Sequence, residues 1–246
     1  MNEPFIELTG AVCTYPDGHR ALSGITLALP KSQRAGLVGA NGAGKTTLLS
    51  LIAGLLPPQE GTVRVGGAPP SLAAPKVQQR RLGYVFQDPD DQLFMPTVQE
   101  DVAFGPRNDG LPEGEVALRV RQALEQTGTL HLKDRFTWKL SGGEKRAVAI
   151  AAVLACQPEF LVLDEPTAGL DPRSRRSLMG LLKTLPQGCL IASHDMDFIL
   201  SVCERTVVLQ AGAIAAEGPT DELLRNQPLL EACGLELPLA LQCLSP

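Results

Sequence analysis

The sequence predicts an α/β fold with a mostly parallel sheet, a small antiparallel β layer at the N-terminal end and an inserted α-helical subdomain. Three observations carry that expectation. The runs FLVLD, ending at Asp164, and CLIAS, ending at Ser193, are nearly all apolar, as strands covered on both faces are. From Ala35 an apolar strand runs into a glycine loop and then into a helix starting at Lys45. Between these lies a middle third, about residues 90–155, whose patterning is helical.

The N-terminal layer rests on two short β-like runs, Phe5 to Leu8 and Ile25 to Leu29, around the turn Tyr15-Pro16-Asp17-Gly18. The helix from Lys45 is expected to reach about Leu55, with Leu48, Leu49, Ile52 and Leu55 on one face. Proline and glycine punctuate residues 54–75, and a further strand is expected from Leu82 to Gln87. Thr97 and Glu100 form a capping box that opens one helix. Val116, Val120, Ala123 and Leu124 stripe another that stops at Gly128. Residues 1–222 read as one nucleotide-handling domain, and residues 223–246 as a short helical tail.

Composition narrows the function classes. A chain of 246 residues with 44 % apolar and 20 % charged residues is an ordinary globular protein. The apolar run Ala147 to Cys156 is half the roughly 20 residues that a membrane-spanning helix needs. It reads as a buried helix. The opening MNEPFIEL has no basic segment before an apolar stretch, so no secretory signal is expected. A net charge of −5 without a block of like charge argues against a phosphate-neutralising surface, and nucleic acid is not expected as a partner. Cys13, Cys156, Cys189, Cys203, Cys233 and Cys243 show no C-x-x-C pair and read as reduced, packed thiols. Three histidines form no ligand cluster, so a metal ion is expected only together with a nucleotide.

Gly39-Ala40-Asn41-Gly42-Ala43-Gly44-Lys45-Thr46, followed by Thr47, fits G-x-x-x-x-G-K-[ST] after a strand and before a helix. Glycines let the backbone turn its N–H groups toward phosphate oxygens, and the helix adds its positive N-terminal end. Lys45 supplies a charge to the β- and γ-phosphates of ATP, and the Thr46 hydroxyl can hold Mg²⁺. Asp164 and Glu165 follow the strand FLVLD. Asp164 is placed to reach Mg²⁺ and Glu165 to orient or deprotonate an attacking water; the plainer reading is a pair of acids capping the turn before Pro166. These features point to a P-loop NTPase core.

Leu140-Ser141-Gly142-Gly143-Glu144 has a structural reading as well, because Ser141 and Glu144 make a capping box. Capping does not account for two glycines in a first turn, each of which costs about 1 kcal/mol of helix propensity. Here the sequence resembles the ATP-binding-cassette ATPases, whose signature is LSGG-Q/E, over about residues 5–222. That resemblance implies Tyr15 stacking on adenine, Gln87 as a Q-loop residue touching Mg²⁺ or water, Asp171 at a dimer interface and His194 near the γ-phosphate. Tyr15 and His194 also fit plain structural roles. The resemblance further implies a head-to-tail dimer, simplest as a homodimer, in which Ser141, Gly142, Gly143 and Glu144 act on the nucleotide held by the other subunit. Glu144 stands where many members carry Gln, and Ala40 and Ala43 stand where Pro and Ser are frequent; no backbone donor is lost.

The stretch from Gln87 to Phe94, then PTVQEDVAFGP, is similar to the energy-coupling-factor branch and, within it, to cobalt and nickel importers. That likeness implies an ATPase docked on integral membrane subunits at the cytoplasmic face. Cobalt or nickel is the expected cargo, with a vitamin importer or a non-transport cassette ATPase as alternatives.

Overall fold

The computed structural model describes residues 4–70 and 81–242. Two sheets organise it. The first is antiparallel, in the order β2-β1-β4, from Ile6–Thr14 (β1), Arg20–Leu29 (β2) and Glu60–Val65 (β4). The second has the order β5-β6-β7-β3-β8-β9, from Arg34–Val38 (β3), Leu82–Val85 (β5), Phe160–Asp164 (β6), Gly188–Ala192 (β7), Arg205–Gln210 (β8) and Ala213–Pro219 (β9). It is parallel except for the β8–β9 hairpin.

Alternation along the parallel strands sends side chains into two cores. Leu37, Phe160, Val162 and Leu190 face α1 (Lys45–Ile52) and the antiparallel layer. Leu161, Leu163 and Ile191 point the other way, into a core shared with the helices. That second core holds α2 (Val98–Asn108), α3 (Glu113–Gln126), α4 (Gly142–Ala155), α5 (Pro172–Thr184) and α6 (Met196–Val202). The chain then runs through α7 (Thr220–Leu223), α8 (Gln227–Ala232) and α9 (Leu239–Gln242).

The expected class holds, with local corrections. α1 stops at Ile52 and Leu55 is 42 % exposed, because the chain turns at Gly54 with φ +73° before Pro57. β5 ends at Val85, which leaves Gln87 beyond the strand on the surface. β1 and β2 are longer than their apolar runs suggested, since shifts in pairing register carry the ladder past Gly10 and Gly24. β4 lies in the stretch read only as proline and glycine punctuation, and the β8–β9 hairpin carried no strand expectation. Residues 71–75 of that stretch, and Cys243, lie outside the described residues. Cys13, Cys189, Cys203 and Cys233 are free, buried thiols. Burial pushes the Cys189 thiol up to about 12, so it stays protonated.

Candidate functional site

The chemistry-bearing residues converge because β3, β7 and β6 are neighbours that run in one direction. Their C-terminal ends release Gly39, Ser193 and Glu165 at one rim, the crevice where open α/β sheets bind ligands. A cleft of about 420 Å³ opens there, lined by residues 41–47 of the loop together with Tyr15, His19, Gln87, Asp164, Glu165 and His194.

The loop is set for an anion by its backbone. Gly44 has φ +104°, and a Cβ there would come within 2.7 Å of the Ala21 carbonyl. Only glycine fits that turn. No side chain caps α1, so its first N–H groups are left for a ligand at the positive end of the helix. The β8–β9 turn supports the loop from behind, with the Gly212 N–H donating to Ala43 O at 3.1 Å.

Lys45 is buried at the start of α1. Its ammonium donates to Gly39 O (2.8 Å) and Ala40 O (3.3 Å), and lies 3.0 Å from His194 Nε2. An ammonium can only donate, so Nε2 accepts and the ring proton is assigned to Nδ1. Burial lowers the Lys45 pKa, against the pull of Glu165 and Asp164.

Asp164 is buried at the end of β6, and its Oδ1 has no hydrogen-bond partner. Burial raises its pKa, while the Thr46 hydroxyl, the Lys45 charge and the Tyr84 hydroxyl work in the opposite direction. A buried carboxylate oxygen without a partner costs free energy unless something supplies charge. Beside the Thr46 hydroxyl, it is the oxygen donor that a hard divalent cation takes. The residues present therefore fit Mg²⁺.

Glu165 adopts φ +43°, a left-handed conformation costing on the order of 1 kcal/mol for a residue with a Cβ. Its N–H donates to Ala192 O at 2.8 Å, and its Oε2 accepts from Ser193 Oγ (3.3 Å) and the His194 N–H (3.2 Å). Oε1 makes no hydrogen bond and lies 3.4 Å from His194 Nε2. Because Nε2 already accepts from Lys45, that contact is not an ion pair. The strained backbone thus aims a carboxylate with one uncommitted oxygen at the phosphate end of the cleft.

Tyr15 lines the same cleft on the outside, with its hydroxyl 3.0 Å from Thr47 Oγ1 and its ring nearly parallel to His19 at 6.5 Å. The Gln87 side chain is exposed, but Arg146 holds the backbone beneath it by donating to Phe86 O (2.6 Å) and Gln87 O (2.5 Å).

The signature residues are not in this cleft. Ser141 caps α4 reciprocally with Glu144, whose carboxylate is held below its usual pKa chiefly by the Ser141 N–H. Ser141, Gly143, Glu144 and Asp171 border a second cavity of about 940 Å³, which neither Lys45, Asp164 nor Glu165 lines. Asp171 caps α5, accepting from the Arg173 and Ser174 N–H groups. The capping boxes at Thr97 and Ser141 both form as their spacing predicts.

Sequence reasoning missed Ser193, Tyr84, His19 and Arg146. Arg146 left a trace, a cation directly before the apolar run Ala147 to Cys156, and is 3 % exposed. Ser193 and Tyr84 left none, because ordinary strand-end residues acquire their partners only when three strands come together.

Comparison with known proteins gives one family. The ABC transporter profile matches residues 22–168. The energy-coupling factor transporter ATP-binding protein EcfA of Methanothermobacter thermautotrophicus is 44 % identical over 239 residues, covering 95 % of this chain and 76 % of that one. The structure of cbiO1 from Clostridium perfringens, part of the ABC transporter complex cbiONQ, superposes with a TM-score of 0.84 at 37 % identity, covering 94 % of each chain. A dimeric structure of the ATP-binding cassette MJ0796 bound to ADP and Pi superposes with a TM-score of 0.78 at 26 % identity, covering 87 % of this chain and 98 % of that one.

Proposed function

This chain belongs to the ABC transporter ATPases, and from that membership we propose that it powers an energy-coupling-factor importer, with cobalt or nickel ions as the cargo. ATP binding and hydrolysis are the family's chemistry. The observation that carries the reading is the division of the motifs. One cleft collects the phosphate loop, both acids and the histidine, whereas the signature borders a different cavity. A chain arranged in this way would complete its ATP site by pairing head to tail with a second copy; the dimeric relative supports a pair.

Within the pair, each side chain has a task. Lys45 turns from its loop carbonyls to the β- and γ-phosphates, and the uncapped N–H groups of α1 receive their oxygens. Thr46 and Asp164 hold Mg²⁺, with Gln87 at the cleft mouth; the ion, when bound, neutralises charge that develops on the phosphates. Glu165 accepts a proton from water through its free oxygen, and the His194 ring, released by Lys45, turns an N–H toward the γ-phosphate and donates to it. Tyr15 stacks on the adenine. Ser141, Gly142, Gly143 and Glu144, with Asp171, close the partner's site.

A surface feature fits the membrane partner. Phe94 is 62 % exposed and packs edge-on against Phe104 at 4.8 Å, beside a cavity of about 310 Å³ between α2, α4 and β5. An apolar helix end of a membrane subunit would bury both rings, placing the ATPase at the membrane's cytoplasmic face. Among the described residues, no helix is long and apolar enough to cross a membrane.

The test is to tag the chain, extract it from its native membranes in mild detergent, identify what co-purifies and measure bound metal. Small integral membrane proteins carrying cobalt or nickel support the whole reading. The same proteins carrying a vitamin overturn the cargo and keep the mechanism, and recovery without membrane proteins overturns the importer.

A further inference from the structure

We infer that Arg175 is a positioning residue for hydrolysis: it clamps Asp195 and thereby ties the placement of His194 to the signature-bearing surface of the same chain. The inference rests on His194 acting in the ATP cleft, and it names what sets that histidine.

The connection starts at the dimer-facing side. Gly143, at the start of α4, lies so close to α5 that a Cβ on it would collide with the Ser174 hydroxyl. Ser174 in turn donates to Asp171 Oδ2 at 2.6 Å, and Asp171 Oδ1 caps the helix. The first turns of α4 and α5 are therefore in close contact at Gly143 and Ser174. In the next stretch of α5, Arg175 reaches across to α6, with Nη2 donating to Asp195 Oδ1 at 2.6 Å and Nε donating to Oδ2. Two parallel N–H donors on one carboxylate fix orientation as well as distance, which a lysine could not do. The guanidinium also sits 6.0 Å from the centre of the buried Phe198 ring.

Asp195 is the residue after His194. Its Oδ1 caps α6 by accepting from the Phe198 N–H at 2.9 Å, and its own N–H donates to Ser193 Oγ at 3.1 Å. Ser193 Oγ donates to Glu165 Oε2. His194 is thus held from both neighbours, by Ser193 toward Glu165 and by Asp195 toward Arg175. Its own side chain is 44 % exposed, and its ring has polar contacts with Lys45 and Glu165. A ring so lightly held takes its position from its backbone, which Glu165 Oε2 holds directly at the His194 N–H and which Arg175 ties to α5 through Asp195. Asp195 without Arg175 would still cap α6 but would lose its tie to α5.

The chain of contacts runs from Gly143 through Ser174, Arg175 and Asp195 to His194. In the dimer, the first of these faces the partner's ATP and the last faces the chain's own. The clamp therefore gives one ATP site a mechanical link to the other.

The test compares steady-state ATP hydrolysis and thermal midpoint in the purified transporter complex. The variants are Arg175→Met, Arg175→Lys, Asp195→Asn and the double variant Arg175→Met with Asp195→Asn. Asparagine keeps the helix cap, and methionine keeps the contact with Phe198. Misplacement of a reacting group by about 1 Å costs on the order of 100-fold, so kcat should fall about 10- to 100-fold in each of Arg175→Met and Asp195→Asn. KM for ATP should stay within about twofold of wild type, Arg175→Lys should fall between, and the double variant should be no worse than either single one. Folded variants with wild-type kcat, a change confined to KM, or losses that multiply in the double variant would each overturn the clamp. The outcome separates from the functional reading through two controls: inactive wild-type complex, or full activity in Glu165→Gln, breaks the ATPase assignment itself.

Discussion

The phosphate-loop cleft and the signature surface are built from the same kind of local device, a helix N-terminus, yet they are finished differently. At α1 the first turn is uncapped and the nearby carboxylates keep free oxygens on Asp164 and Glu165. At α4 and α5 the first turns carry side-chain caps from Ser141, Glu144 and Asp171. The first region stores unmet hydrogen bonds and charge, which a nucleotide with its cation would satisfy. The second presents glycine backbone at the start of α4, where a Cβ on Gly142 would meet nothing within 4 Å. In the head-to-tail pair proposed above, the first region would hold the nucleotide and the second would cover the one held by the partner.

The largest expected effect tests the unfinished side. Replacing Glu165 by Gln removes the proton acceptor while leaving the loop intact, and phosphate release should fall about 1000-fold. ATP should still bind, so the variant should run as a stable dimer in ATP when sized by light scattering. Phosphate release near the wild-type rate would assign the base elsewhere.

A complementation measurement sharpens the contrast between the regions. Lys45→Ala empties the cleft, whereas Gly142→Asp adds an acid where a Cβ meets nothing within 4 Å and where helix N-termini favour negative charge. That second variant should fold normally and repel the facing nucleotide. Each is expected to be inactive alone. Mixed in equal amounts, they should recover about a quarter of wild-type turnover, because half the dimers are hybrids and each hybrid has one intact composite site. No recovery would mean that signature and loop do not serve one site across the pair.

Smaller effects probe the margins. Tyr15→Ala should raise KM for ATP about tenfold with little change in kcat, the magnitude of one lost base-stacking contact; a change in kcat alone would place Tyr15 in the chemistry. The smallest effect lies far from both regions, where Glu159 receives Arg81 at 2.6 Å and Lys31 at 2.5 Å. These partners depress its carboxyl from 4.5 to about 2, so the stabilisation is full above about pH 4.5 and is lost as pH falls toward 2. Its side chain is 31 % exposed, which with solvent screening leaves about 1 kcal/mol at neutral pH. Glu159→Gln should lower the unfolding free energy by that amount at pH 7 and by nothing near pH 2, measured by urea titration.

Some of this molecule could be read from spacing because the physical cause is itself local. G-x-x-x-x-G-K-T at Gly39 to Thr46 bends a backbone wherever it occurs between a strand and a helix, and Thr97 with Glu100 and Ser141 with Glu144 cap helices by reaching only three residues. Apolar runs such as FLVLD declare burial on two faces. The same local logic failed at Leu55, where Gly54 and Pro57 overrode an apolar stripe, and at β4 and β9, whose strands are recognised by their pairing rather than by an apolar run; β8 was missed although Val207, Val208 and Leu209 form one.

What the sequence determined alone was the set of chemical parts and the helix starts that present them, since both depend on contacts within a few residues. Only the tertiary structure decided which parts share a site. Strand order puts the ends of β3, β7 and β6 side by side, so Lys45, Asp164, Glu165 and His194 meet although 149 positions separate the first from the last. The same order leaves Ser141 and Asp171 beside another cavity, and it sets Arg175 against Asp195 across two helices. Side-chain chemistry acts over a few ångströms, and only folding sets which distant residues come that close.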